Sequence, residues 1–306
     1  GAHMKAEDFA KAFGASSDDI AAVRSFATQH GMAVVDEHAG RRTVVLSGTV
    51  KQFNEAFGVD LQQFEHPGGS YRGRTGPVQV PDELKDRVQA VLGLDNRPVP
   101  RPHFRRRPQQ GNVHWQAEGG TFTPTQLAAL YGFPDGDGSG QCAAIIELGG
   151  GYRTKDLTTY FGGLKLVHGP KVQAVSVDHG RNHATGDANG PDGEVMLDIE
   201  VVGAVAPKAN IVVYFAPNTD AGFLNAITDA IHDTKYRPSV VSISWGGPQG
   251  NRTWKSFAIC LNGLPDAGLI DSTGAHEQRA REDRHGSVRR LLGGPGRSTH
   301  RQCRAA

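Results

Sequence analysis

The chain has 306 residues, 38% of them hydrophobic and 40 of them glycine, and its 33 lysines and arginines nearly balance 32 aspartates and glutamates for a net charge of +1. That length has room for two modest domains or one large one with a sizeable core, and the composition excludes wholesale disorder. No global field pulls such a chain onto nucleic acid or an anionic membrane, and no apolar run approaches the ~18 residues of a membrane span.

The opening Gly1-Ala2-His3-Met4 has the look of an expression-tag remnant, which puts the expected native start at Lys5. From Lys5 to Asn96 short helices and strands alternate. Ser17, Asp18 and Asp19 ahead of the spaced Ile20, Val23, Phe26 and Ala27 predict an N-capped amphipathic helix ended by Gly31. Strands are expected at 32–36 and 43–46 around a charged turn at Gly40, a second helix at 50–57, more strand toward Phe64, and a third helix opened by Pro81-Asp82-Glu83. A small α+β sandwich, residues 5–96, fits this order.

Residues 97–121 follow as a linker. The stretch RPVPRPHFRRRPQQG carries four prolines and five arginines, which predicts exposed chain without helix or sheet, open to proteases. Only Phe104 could stack on a base there, so a nucleic-acid arm is disfavoured. From Phe122 onward, the runs CAAIIEL (142–148), IVVYFA (211–216) and VVSISW (240–245) read as strands buried on both faces of a parallel sheet. Crossover helices are expected at 154–161, 193–205 and 219–232, which makes residues 122–250 an α/β unit. Beyond Asn251 the period vanishes: residues 251–306 carry nine Arg and one Lys against five acidic residues, an Arg-rich tail with no sign of a core. Cys142, Cys260 and Cys303 are too scattered for a disulfide framework or a zinc site.

The segment GPDGEVMLDIEVV (190–202) holds the main chemical signal. Asp192 is placed to cap a helix that is apolar nearly all round, hence buried, and Glu194 and Asp198 project four apart from one face of it. Two carboxylates so placed repel when both are ionised, share a proton, and can act as a base at acidic pH, where imidazole is already protonated. Other catalytic patterns fail. There is no G-x-S-x-G elbow, Gly149-Gly150-Gly151 does not complete a dinucleotide fingerprint, and the histidines lack metal spacing.

The strings IIELGGGY (145–152), GPDGEVMLDIEV (190–201), YFAPNTDAGFLNAI (214–227) and SISWGGP (242–248) resemble the sedolisin family of serine-carboxyl peptidases, kumamolisin type. TVVLSGTVKQFNEAFGV (43–59) and EHPGGSYRGRTGPV (65–78) resemble its activation prosegment. The resemblance implies a subtilisin-like α/β catalytic domain, here expected to be truncated, behind a ferredoxin-like α+β prosegment that acts as chaperone and inhibitor. It implies an acid endopeptidase in which the residue matching Glu194 takes the proton of a nucleophilic Ser and the residue matching Asp198 orients that Glu. Glu147 and Trp245 match positions that extend the hydrogen-bond network, and Trp245, Gly246 and Gly247 match backbone that holds the substrate strand.

Departures from the family pattern set further expectations. The Ala-Gly-Asp-Ser-Gly-like turn that carries the oxyanion Asp, and the Gly-Thr-Ser segment of the nucleophile, occur nowhere in the chain. Asp271-Ser272 and Ser298 lie in the tail and are not promoted in their place. No cofactor is expected here; the family's calcium segment is C-terminal, and its ligands are absent. Residues 251–306 are expected to be out-of-frame or degenerate coding, and the chain to be inactive. The implied partners are peptide or protein substrates, with in-trans binding to an intact sedolisin as the alternative role and no nucleic acid or membrane. Processing is expected between Arg101 and Thr121, and the location is secreted or extracellular by resemblance.

Overall fold

The computed structural model of the chain describes residues 6–66, 69–98, 100–102, 122–166, 169–246 and 268–271. The N-terminal part begins with helices α1 (Ala6–Phe13) and α2 (Ser17–Gln29). Ser16, one residue earlier than expected, caps α2 by accepting the Asp19 N–H, and the helix closes on His30 ahead of Gly31 at φ 66°. Strands β1 (Ala33–His38) and β2 (Thr43–Ser47) form an antiparallel hairpin with an irregularity between Val34 and Asp36. Helix α3 (Val50–Phe57) starts at a capping box in which Thr49 and Gln52 satisfy each other's backbone N–H groups. Strands β3 (Asp60–His66) and β4 (Gly69–Thr75) make a second hairpin.

The four strands remain two separate two-stranded sheets, held together by the core of Phe26, Met32, Phe57, Leu61, Leu84 and Leu94. The helix expected from Pro81 is only a single 3-10 turn, Asp82–Leu84.

After the two-residue strand β5 (Arg101–Pro102), helix α4 (Pro124–Leu130) leads into β6 (Cys142–Glu147), α5 (Thr154–Gly163), β7 (Lys171–Ser176), α6 (Pro191–Val205), β8 (Asn210–Phe215), α7 (Asp220–His232), β9 (Val240–Ile243) and β10 (Trp245–Gly246). A final strand, β11 (Gly268–Asp271), lies inside the stretch whose sequence promised no pattern. The sheet order is β11-β9-β6-β8-β7, and β6 pairs in parallel with both β8 and β9. Apart from β11, the rest of the 251–306 tail, with Cys260, Ser272, Ser298 and Cys303, lies outside the described residues.

Alternate residues of the strands enter opposite layers, as a period of two requires. Ala144, Ile146, Val212 and Tyr214 pack under Phe223, Ala226 and Ile227 of α7, while Ile145, Val213 and Phe215 pack under Leu157 and Phe161 of α5 and Val195 and Ile199 of α6. Gly203 permits that second layer: a Cβ there would stand 2.5 Å from Cζ of Phe161 and 2.7 Å from Cγ of Pro170. Among the described residues no helix is long and apolar enough to cross a membrane.

Truncating Ile199, fully buried between α6 and the sheet, should destabilise the chain by about 2–5 kcal/mol. Urea unfolding of Ile199→Ala, followed by tryptophan fluorescence, should show the lowered midpoint; an unchanged midpoint would contradict the packing of α6.

Candidate active site

The carboxyl ends of the parallel strands converge on one cluster of acids, the edge where open α/β sheets place ligands. Glu147 is the last residue of β6, and Ser244 and Trp245 directly follow β9, which runs parallel beside it. Glu147 is 0% exposed, and the indole Nε1 of Trp245 donates to its Oε2 at 2.8 Å. Helix α6 brings Glu194, 2% exposed, and Asp198 one turn further along. Ser244 Oγ donates to Asp198 Oδ1 at 2.9 Å.

Electrostatics join the three carboxyls. Burial first, then the charge of Asp198 and more weakly that of Glu194, pushes Glu147 well above the usual carboxylate range, against the opposing pull of the Trp245 hydrogen bond. Burial raises Asp198 to about 6, opposed by the Ser244 hydrogen bond. Oε1 of Glu147 and Oδ2 of Asp198 are buried with no hydrogen-bond partner among the described residues. A buried carboxyl oxygen without a donor is a place where a proton is retained. The cluster therefore holds protons at a pH where exposed carboxyls have lost them.

Asp192 does something other than cap its own helix. Gly190 is the N-cap of α6 and makes no side-chain capping bond. From the second helical position, Asp192 Oδ1 accepts the Gly151 N–H at 2.9 Å, and Oδ2 accepts the Gly186 N–H at 2.6 Å and the Thr185 hydroxyl at 3.0 Å. It thereby pins the glycine loop after β6 and the 185–186 loop to the first turn of α6, next to Glu194. Gly150 makes this approach possible: its φ is 68°, and a Cβ would stand 2.5 Å from the Pro191 carbonyl carbon. The destination of such a side chain depends on loops distant in sequence. Ser244 also escaped the sequence reading, although a polar residue at the end of a run buried on both faces was its signal.

The linker does form sheet. Arg101–Pro102 pairs antiparallel with Trp245–Gly246, Trp245 opposite Pro102 and Gly246 opposite Arg101. Asn218 Nδ2 donates to the Pro100 carbonyl at 2.9 Å, so the approach is fixed one residue earlier as well. A short edge pairing tolerates proline, which removes one donor and keeps its carbonyl. Gly247 and residues 103–121 lie outside the described residues. No group of three or more potential metal ligands gathers among those described.

Residues 1–97 match the family model "Pro-kumamolisin, activation domain". Kumamolisin of Bacillus sp. strain MN-32 is 52% identical over 276 residues, 89% of this chain and 50% of that protein. The chain is a sedolisin-family homologue. Tripeptidyl-peptidase sed5 of Aspergillus fumigatus is 28% identical over 78% of the chain and 45% of its own length, and sedolisin of Pseudomonas sp. strain 101 is 22% identical over 80% and 43%. The chain thus spans about half the length of the curated relatives it matches. An 89% match of 306 residues is about 272, which reaches past the last motif quoted above, SISWGGP.

Because Glu147 and Asp198 both titrate higher when folded than in the unfolded chain, where carboxyls sit at about 4, the folded state binds more protons above that value. This contribution to stability is fully present below about pH 4 and is lost as pH rises through the folded values. Glu147→Gln keeps an acceptor for Trp245 and removes the cost of either burying a charge or taking up a proton on folding, so it should raise stability at neutral pH by about 1–2 kcal/mol and flatten the pH dependence. Thermal unfolding at several pH values checks both; a variant less stable than wild type at every pH would contradict the assignment.

Proposed function

We propose that the chain is a serine-carboxyl endopeptidase precursor shut by its own linker, with Glu194 as general base and Asp198 as the group that orients it. The pairing of Arg101–Pro102 with Trp245–Gly246 carries this reading, because an extended peptide already lies along the edge beside the buried acids. A hydroxyl nucleophile set against Glu194 would lose its proton to that carboxylate as it attacked the peptide carbonyl, with the carboxyl in place of the imidazole of a serine protease. Glu147 and Trp245 would hold the far side of the network, and the backbone of Trp245, Gly246 and Gly247 the substrate strand. Peptides and proteins are the substrate class, hydrolysed at acidic pH outside the cell.

No nucleophile or oxyanion Asp is identifiable in the sequence, and the proposed state of this chain is inactive. A second reading is favoured by the independent core around Phe26 and Phe57: residues 5–96 fold as a unit and inhibit an intact relative in trans.

After acid incubation, wild type and Glu194→Gln should show the same background turnover of a peptide substrate at about pH 3–5. Turnover that depends on Glu194 would overturn the inactivity and demand a nucleophile within this chain. Residues 5–96 titrated into kumamolisin should inhibit it, and no inhibition at micromolar concentration would remove the second reading.

A further inference from the structure

Helix α6 is apolar nearly all round, and a helix of that kind belongs in an interior. Only one side of it has one. Val195 and Ile199 are fully buried under the sheet, while Leu197 and Val201, four apart on another side, are exposed. Helix α4 lies against α6 and repeats the pattern. The capping box of Thr123 and Gln126 and a proline in the first turn start it firmly, yet none of its residues is buried. Leu127, Leu130 and Tyr131, spaced three and four apart, form one apolar stripe; Leu130 is 68% exposed and Tyr131 75%, and Phe133 just beyond is exposed too.

Single apolar side chains in water are ordinary, but a contiguous group of them marks a contact surface. Of the ten large hydrophobic residues that are exposed among the described ones, seven lie on α6 or within residues 122–133. The other three, Phe13, Val35 and Val50, are spread over α1, β1 and α3. The face also has a telling address. Leu197 is three residues past Glu194 and Val201 three past Asp198, so an element that covers the two apolar side chains passes alongside both acids.

Kumamolisin shows what kind of chain could cover it. It is 52% identical to this chain, and the match takes up 50% of its length, so it carries as much chain again outside the match. We propose that the α4–α6 face is a docking surface for the part of a kumamolisin-type chain that follows the matched half, taken up here as a separate polypeptide. The choice of occupant rests on the reading of Glu194 as a general base for which this chain shows no nucleophile: the docked part would bring a hydroxyl alongside it. A second copy of this chain would cover the apolar side chains but bring only another Glu194.

The probe is the part of kumamolisin that follows its match, purified in urea and diluted into the folded full-length chain near neutral pH. Light scattering should show a one-to-one complex. Hydrogen exchange in residues 124–133 and 195–202 should slow at least about tenfold on docking, while residues 33–47 stay unchanged. Leu130→Glu/Tyr131→Glu places two charges on the face and should weaken docking at least about tenfold, whereas Val35→Glu, exposed on β1, should leave it within about twofold. If the double variant loses α4, Val201→Lys on α6, whose inner side stays packed, must weaken docking in its place. If the probe precipitates before it docks, the same segment joined to Ala306 through a flexible linker must give the same protection.

Absence of that protection in the joined chain, docking indifferent to charges on the face, or a dimer of this chain that occupies the face and excludes the probe overturns the proposal. Docking is read without turnover, so the two readings can fail separately. After acid incubation the docked complex should hydrolyse a peptide at about pH 3–5 only with Glu194 in place. Docking without such turnover would count against Glu194 as base and leave the surface assigned; loss of docking would remove the surface whatever the base does.

Discussion

Three carboxyl groups drawn out of water at one edge of a parallel sheet constrain everything around them. Burying an ionised carboxylate without a full set of donors is far more costly than letting it keep its proton. Glu147 has the Trp245 indole on one oxygen, and Asp198 has the Ser244 hydroxyl on one, and the second oxygen of each is left without a donor. The group responds by retaining protons, which is why Glu147 titrates high and Asp198 near 6. The same physics fits the cluster for acid chemistry: a base that works at low pH must itself be a carboxyl, and its ionisation must be coupled to a neighbour that can take or release the next proton.

The packing makes this arrangement compulsory. With β6 buried on both faces, its last side chain has no route to solvent, and α6 has to lie with its apolar surface across Ile145 and Val213. Asp192 then ties the start of α6 to Gly151 and Gly186, so the first turn cannot tilt away and expose Glu194. On the outer side, Arg101–Pro102 covers the Trp245–Gly246 edge, where unpaired backbone groups would otherwise recruit another strand. The docked N-terminal part anchors that cover through Gly93 N–H to Asp220 at 3.0 Å and through Arg41 to Asp229.

Much of this is written in the chain at short range. The apolar runs at 142–148, 211–216 and 240–245, together with the all-round apolar character of 191–205, were enough to place β6, β8, β9 and the buried helix, while the edge strand β7, with its more polar KVQAVS, was missed; the four-residue spacing put Glu194 and Asp198 on one face. What was not legible depends on contacts between segments far apart. The partners of Asp192 lie on loops around 151 and 186, and the pairing of Pro102 with Trp245 runs against the local preference of a proline-rich stretch. Pro81 looked like a helix opening because proline suits a first turn, yet only three residues wound up. The contact between the His38 and His232 rings, 5.4 Å apart, has no sequence signature either, since nothing local says that a hairpin turn and the end of a helix will meet.

Carboxyl titration by NMR, with glutamate and aspartate labelled with carbon-13 in the side-chain carboxyl of the full chain, measures the central constraint directly. The account predicts that Glu147 titrates well above the ordinary carboxylate range, that Asp198 titrates near 6, and that Glu194→Gln lowers the Glu147 midpoint by removing a neighbouring charge. Glu147 and Asp198 both ionising at the ordinary value of about 4, with no response to Glu194→Gln, would contradict it.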